Sequence, residues 1–246
     1  MILEHPRSHM LGSGWRKLRR HDRIGPVDAA LRHVENHLAS AIVPDDVARV
    51  AGVSLWNLFH AFNATTGFPL MRYVRARRAN AIEPFNIGDS SAAIEEPRLA
   101  VSPRLLVAGL AERYDFHDGS TAADQWRRFA PYLGRVAGQV GRAAYGTSYY
   151  TGADGNVEYL SGVEVADFSS VPRNFGLLCV PAQRCAVFFH GDHVSTLRGT
   201  WTAIWNQWLP DMGYEVADAP FFERYAESFD PLTGLGGAEI WIPIRQ

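Results

Sequence analysis

The chain has 246 residues, enough for two modest domains or one large one. Hydrophobic residues make up 47% and charged residues 20%, which excludes an intrinsically disordered chain. A formal net charge of −2 excludes a global attraction to nucleic acid, so any such role needs a local basic patch.

Residues 1–25 form a basic lead-in containing Arg7, His9, Arg16, Lys17, Arg19, Arg20, His21 and Arg23. It reads either as a solvated tail or as an arm that touches phosphates. Without an apolar signal core, and with no apolar run near the ~18–20 residues of a membrane span, the expectation is a cytoplasmic protein with no membrane partner. Cys179 and Cys185 lack metal-ligand spacing and are expected as free, mostly buried thiols.

From Val27 the pattern is helical, with Leu31, Val34 and Leu38 on one stripe. Pro44-Asp45-Asp46 suits the first turn of a second helix. Ala51-Gly52-Val53-Ser54 reads as a turn whose Ser54 caps a third helix carrying Leu55, Leu58, Phe59 and Phe62. A fourth helix runs from Pro69 through Tyr73 and Val74 into Arg75-Ala76-Arg77-Arg78.

Helix, short helix, Gly turn, helix is a helix-turn-helix layout. The stretch from Val27 to about Ala81 resembles the first DNA-binding unit of the AraC family, notably Val47-Ala48-Arg49-Val50-Ala51-Gly52-Val53-Ser54, Leu58-Phe59-His60-Ala61-Phe62 and Tyr73-Val74-Arg75-Ala76-Arg77-Arg78. The resemblance implies that Trp56, Phe59 and His60 stand on the DNA-facing helix and that Arg72, Arg75, Arg77 and Arg78 supply phosphate contacts. Two departures weaken it. No second unit follows in the chain, and the helix from Ser54 to Thr66 contains no Lys or Arg, although phosphate neutralisation supplies most duplex affinity. The unit therefore reads either as a weak or partner-assisted DNA reader or as a relic that packs or dimerises.

Residues 83–97, with Pro84, Gly88, paired Ser, paired Glu and Pro97, read as a linker. From residue 98 the chain repeats itself at an offset of about 78. Leu105–Leu110 corresponds to Arg184–Phe189. The helix with Trp126 and Phe129 corresponds to the one with Trp201, Trp205 and Trp208. The segment around Tyr145 corresponds to Phe222–Tyr225, and Tyr159–Val165 to Gly237–Pro243. The expected fold class is an N-terminal helical unit (residues 26–82) followed by an α+β domain (residues 98–246). That domain is a pseudo-twofold duplicated β-α-β-β antiparallel sheet, with two helices on one face and a cleft between the halves.

In Phe221-Phe222-Glu223-Arg224-Tyr225 strand alternation puts Phe221, Glu223 and Tyr225 on one face. Glu223 reads either as a solvent-facing residue or as the acidic floor of an aromatic-walled pocket that favours lipophilic cations. The flanking Asp230-Pro231-Leu232-Thr233-Gly234-Leu235-Gly236-Gly237 reads as a hairpin loop.

The run from Val180 to Gly191, Trp205, and Pro220 to Ile244 resemble the GyrI-like ligand-binding domain. That resemblance implies a small-molecule module and gives Glu223 the role of a buried acid that meets cationic compounds. Tyr225, Trp201, Trp205, Trp208, Tyr145 and Trp241 are the aromatic candidates around it. Some members of that family are hydrolases of strained substrates, in which the same acid would activate water. His190 and His193 have an i, i+3 spacing but no third ligand, so no metal is expected, and no cofactor fingerprint is present. The leading expectation is a ligand-responsive, DNA-binding regulator rather than an enzyme, with a hydrophobic, cationic ligand, double-stranded DNA, a homodimer and RNA polymerase as partners. The alternative is a hydrolase or toxin-sequestering protein carrying a vestigial helix-turn-helix.

Overall fold

A computed structural model describes residues 24–87, 93–113, 122–150, 157–212 and 214–245. The cationic lead-in, including Arg7, His9, Arg16, Lys17, Arg19, Arg20, His21 and Arg23, lies outside the described residues. Among the described residues no helix is long and apolar enough to cross a membrane.

Four helices open the fold: α1 (Pro26–Asn36), α2 (Pro44–Ala51), α3 (Leu55–Thr66) and α4 (Leu70–Arg78). Proline stands in the first turn of both α1 and α2, where its missing N–H costs nothing. On α1, Val27, Ala30, Leu31 and Val34 form the buried stripe. Gly52 closes α2 in the left-handed region (φ 69°), which a Cβ would disfavour. Ser54 caps α3, its Oγ accepting a bond from the Asn57 N–H at 3.2 Å. Unlike the other three helices, α3 is buried almost all round: Asn57, Leu58, Phe59, His60, Ala61, Phe62, Thr65 and Thr66 are all enclosed. One side packs on α1, α2 and α4, and the other on the second half of the chain.

That second half holds β1 (Arg98–Ser102), β2 (Leu105–Arg113), α5 (Ala122–Phe129), β3 (Gln139–Tyr150), β4 (Val157–Val165), β5 (Gly176–Val180), β6 (Gln183–His190), α6 (Leu197–Ala203), α7 (Leu209–Met212), β7 (Glu215–Val216), β8 (Phe222–Tyr225) and β9 (Ala238–Arg245). All strand pairs are antiparallel, in the order β1-β6-β9-β8-β3-β4-β2-β5, with β7 added beside the end of β9. The order is symmetric about the β3–β8 seam. The repeat is therefore β-β-α-β-β, and each half lends its first strand to the other: β1 pairs β6, and β5 pairs β2. This exchange ties the halves together at both edges as well as at the seam.

The sheet has two buried faces. The helix-covered face, with Ala144, Val163, Phe188, Tyr225, Ile240 and Ile242, shares one continuous core with α1–α4. The other face carries a smaller cluster of Leu105, Val107, Tyr145, Leu160, Phe222 and Trp241. Each fully buried Leu, Ile or Phe in these clusters stabilises the fold by about 1.5–3 kcal/mol relative to exposure. Between α6 and α7 the helix loosens into a π-helical turn, Ile204–Trp208. More residues per turn there re-phase the side chains that follow Trp201. Cys185 is buried and Cys179 exposed, both as free thiols; the expectation of burial fails for Cys179 because it lies on the outward phase of edge strand β5.

Candidate functional site

Alternation along β8 sends Glu223 and Tyr225 toward the helices and Phe222 and Arg224 to the other face. Glu223 sits on the central seam, opposite Gly146 of β3 and Ile240 of β9. Its carboxylate receives three hydrogen bonds. Trp201 Nε1 donates to Oε1 at 3.0 Å, while the hydroxyls of Tyr225 and Tyr159 donate to Oε2 at 2.6 and 3.0 Å. Tyr159 in turn accepts a bond from Trp126 Nε1 at 3.0 Å. The two repeats thus contribute in parallel: α6 brings one tryptophan directly to the acid, and α5 brings the other through a tyrosine. An edge contact of Trp126 with Tyr225, and a tilted contact of Tyr225 with Phe229, complete an aromatic wall.

Glycine at 146 is a steric requirement of this arrangement. A Cβ there would lie 2.2 Å from the Tyr159 hydroxyl oxygen and 2.8 Å from Glu223 Oε2. Removal from water drives the Glu223 pKa up, and the bonds from Tyr225, Trp201 and Tyr159 offset only part of that rise. Burial, and then the adjacent acid, push the Tyr225 phenol well above its ordinary value, so it stays protonated and donates. Glu223 and Tyr159 keep partial exposure while Trp126, Trp201 and Tyr225 are buried. An ionised carboxylate has about four acceptor positions, and three are filled here.

The other aromatic candidates lie elsewhere. Trp205 is fully buried against Phe221, and Trp208 packs on Phe188 and stacks with Tyr214; the π-helical turn aims both away from the acid. Tyr145 and Trp241 belong to the opposite face by strand alternation, where Phe222 stacks on Trp241 and the Arg98 guanidinium lies 4.9 Å from that ring. Sequence reading missed Tyr159, Trp126 and Gly146. The repeat held a signal for Trp126, which occupies on α5 the place Trp201 has on α6.

The residues expected on DNA have a different setting from the one their family resemblance implies. Phe59 and His60 are buried; the His60 ring meets Phe221 edge-on at 4.6 Å and Trp56 at 4.5 Å. Burial holds the His60 pKa down to about 3, so it carries no charge for a phosphate. Asn57 Nδ2 donates to the Val216 carbonyl at 3.2 Å, and Ser54 Oγ donates to Asp218. While this contact holds, α3 faces the sheet domain, because a helix apolar on all sides must be covered on all sides. Arg77 is spent on Glu35, at 2.9 Å, and on the Ile82 carbonyl at 2.7 Å. Arg78 bonds the Leu38 and Ser40 carbonyls but stays exposed, as does Arg75; Arg72 is half-buried. The two histidines of the i, i+3 pair turn to local partners, His190 to Thr200 and the His193 carbonyl, and His193 to Ser195.

A duplicated antiparallel sheet whose paired helices enclose one carboxylate defines a small-molecule-binding domain. Residues 95–245 match the GyrI-like small molecule binding domain family, and the chain belongs to it. It is 30% identical over 149 residues to the transcriptional regulator BrlR of Pseudomonas aeruginosa, a match covering 60% of this chain and 54% of that protein. The match thus spans about half the length of that relative. Among solved structures, SAV2435 bound to tetraphenylphosphonium is 19% identical with a TM-score of 0.49, covering 61% of this chain and 94% of that one. EcmrR in its complex with DNA is 17% identical with a TM-score of 0.45, covering 89% and 81%.

Proposed function

We propose that the chain is a cytoplasmic, ligand-responsive transcription regulator that binds lipophilic cations at Glu223 and responds through its helical unit. One observation carries the ligand class: a carboxylate set among Trp201, Tyr225, Tyr159 and Trp126, whose three hydrogen bonds come from neutral indole and phenol donors. A cation arriving beside it restores the ionised form that burial disfavours, and the ring faces add cation–π attraction. The helical unit is read as the DNA-binding part, weak on its own because its exposed cations are few. A homodimer and a contact with RNA polymerase belong to the same reading.

The test uses two ions of one shape and opposite charge. Tetraphenylphosphonium is expected to bind at least about 10-fold more tightly than tetraphenylborate, a gap of at least about 1.4 kcal/mol. Equal affinities refute charge selection at this site.

Burial of α3 against the sheet domain favours a second reading, in which the protein sequesters or hydrolyses its ligand and the helical unit reads no DNA. Salt-dependent enrichment of a discrete sequence from sheared genomic DNA supports the regulator. Turnover of bound compound without such enrichment supports the second reading.

A further inference from the structure

The segment that runs from β7 into β8 seats α3. Asn57 Nδ2 donates to the Val216 carbonyl at 3.2 Å, Ser54 Oγ donates to Asp218, and the His60 ring meets Phe221 edge-on at 4.6 Å. Ser54, Asn57 and His60 stand three apart, along one side of α3 and its cap. The backbone of the segment is pinned to the sheet. The Pro220 carbonyl accepts from Gln183 Nε2 at 2.8 Å, and the Phe221 carbonyl from Thr147 Oγ1 at 3.0 Å. The part of this seat that is left to respond to the acid is therefore the Phe221 ring.

Phe221 shares the helix-covered face with Glu223, two residues on, and Trp201 touches both. Its Nε1 donates to Glu223 Oε1 at 3.0 Å, and its ring centroid lies 5.4 Å from that of Phe221. The two oxygens of the acid differ in their guard: Oε2 takes both tyrosine hydroxyls, whereas Oε1 takes the one indole N–H. A cation closes on the carboxylate at Oε1, where one donor rather than two has to give way. Moving Trp201 withdraws packing from Phe221, and so from the ring on which His60 leans. We propose, on the footing of the cation site at Glu223, that the seat of α3 on Val216–Phe221 is a latch, which a lipophilic cation loosens by displacing Trp201. Closed, the latch keeps against protein the helix that its family resemblance turns to DNA. Linkage makes the effect reciprocal: a loosened α3 raises cation affinity by the same factor by which the cation favours the loosened state.

The test is hydrogen exchange by mass spectrometry on the full chain, with and without tetraphenylphosphonium at a concentration that calorimetry shows to be saturating. Amides of α3 are expected to exchange at least about 5-fold faster with the cation bound. Those of β9 should not speed up, since a bound ligand slows global opening. Asp218→Ala is an exposed change that spares the cap bond from Ser54 to the Asn57 N–H. It should speed α3 exchange without the cation and tighten tetraphenylphosphonium binding about threefold or more. Unchanged or slower α3 exchange on cation binding overturns the latch and leaves the cation site standing. So does an Asp218→Ala protein that binds the cation no more tightly. A chain that binds no tetraphenylphosphonium overturns the site and the latch together.

Discussion

Replacing Glu223 with glutamine removes one charge and almost no volume. At an effective dielectric near 20, two unit charges about 5 Å apart attract by about 3 kcal/mol. Delocalised charge on a lipophilic cation, and the partial exposure of Glu223, reduce this to about 1.5–3 kcal/mol, or about 10- to 100-fold in affinity. The amide oxygen can take the Oε2 position and keep the two tyrosine bonds. Its NH2 then faces Trp201 Nε1, two donors without an acceptor, at a cost of about 1–3 kcal/mol that relief of the buried charge offsets. Stability near neutral pH should thus change little while cation affinity falls. Calorimetric titration with tetraphenylphosphonium at fixed ionic strength measures the loss. Retention of affinity within about threefold in a folded Glu223→Gln protein, well under 1.4 kcal/mol, refutes the reasoning.

The same acid sets a pH dependence whose sign follows from its raised folded pKa. Its contribution to stability is fully present below the ordinary value of 4.5 and is lost as pH rises through the folded value. Cation affinity runs the opposite way, rising as the acid ionises. In Glu223→Gln both slopes should vanish.

Other perturbations test the frame around the site. Gly146→Ala drives a methyl group into the Tyr159 hydroxyl and Glu223, and should cost about 1–3 kcal/mol in thermal unfolding as well as cation affinity; full retention of both contradicts the packing described. His60, held down to about 3, contributes stability present above its ordinary 6.5 and lost as pH falls from there toward the folded value. His60→Phe keeps a ring against Phe221 and should flatten that slope in urea unfolding compared at about pH 7 and about pH 4.5; an unchanged slope means that His60 is not the group responsible. Arg77→Ala strips Glu35 of its ion pair and Ile82 of its donor, and should destabilise the protein by about 1.5–3 kcal/mol in calorimetry, where a loss under about 0.5 argues against the network. Gly25→Ala would set a Cβ 2.4 Å from the Asn206 Cα, so faster hydrogen exchange in α1 is expected, with unchanged exchange as the refuting result.

Much of the architecture was legible because it is locally encoded. Pro26, Pro44, Ser54, Gly52 and Gly67 mark helix ends through their own backbone preferences, and the apolar spacing of α1 states which face is buried. The repeat announced a duplicated sheet with two helices. Alternation in β8 put Glu223 beside Tyr225 and opposite in facing to Phe222. The exchange of β1 and β5 between halves was not legible, because edge pairing depends on contacts between residues far apart in the chain.

The sequence by itself determined the helices, the duplicated strands and the acid among aromatic residues, since those follow from propensity and periodicity over a few residues. Only the tertiary structure decided which aromatics reach Glu223. Cross-strand register brought Gly146 against it, the neighbouring repeat supplied Tyr159 and Trp126, and the π-helical turn carried Trp205 and Trp208 away. It also decided the setting of α3: a helix apolar on every side shows in the sequence that it must be covered, whereas the surface covering it is chosen by long-range packing.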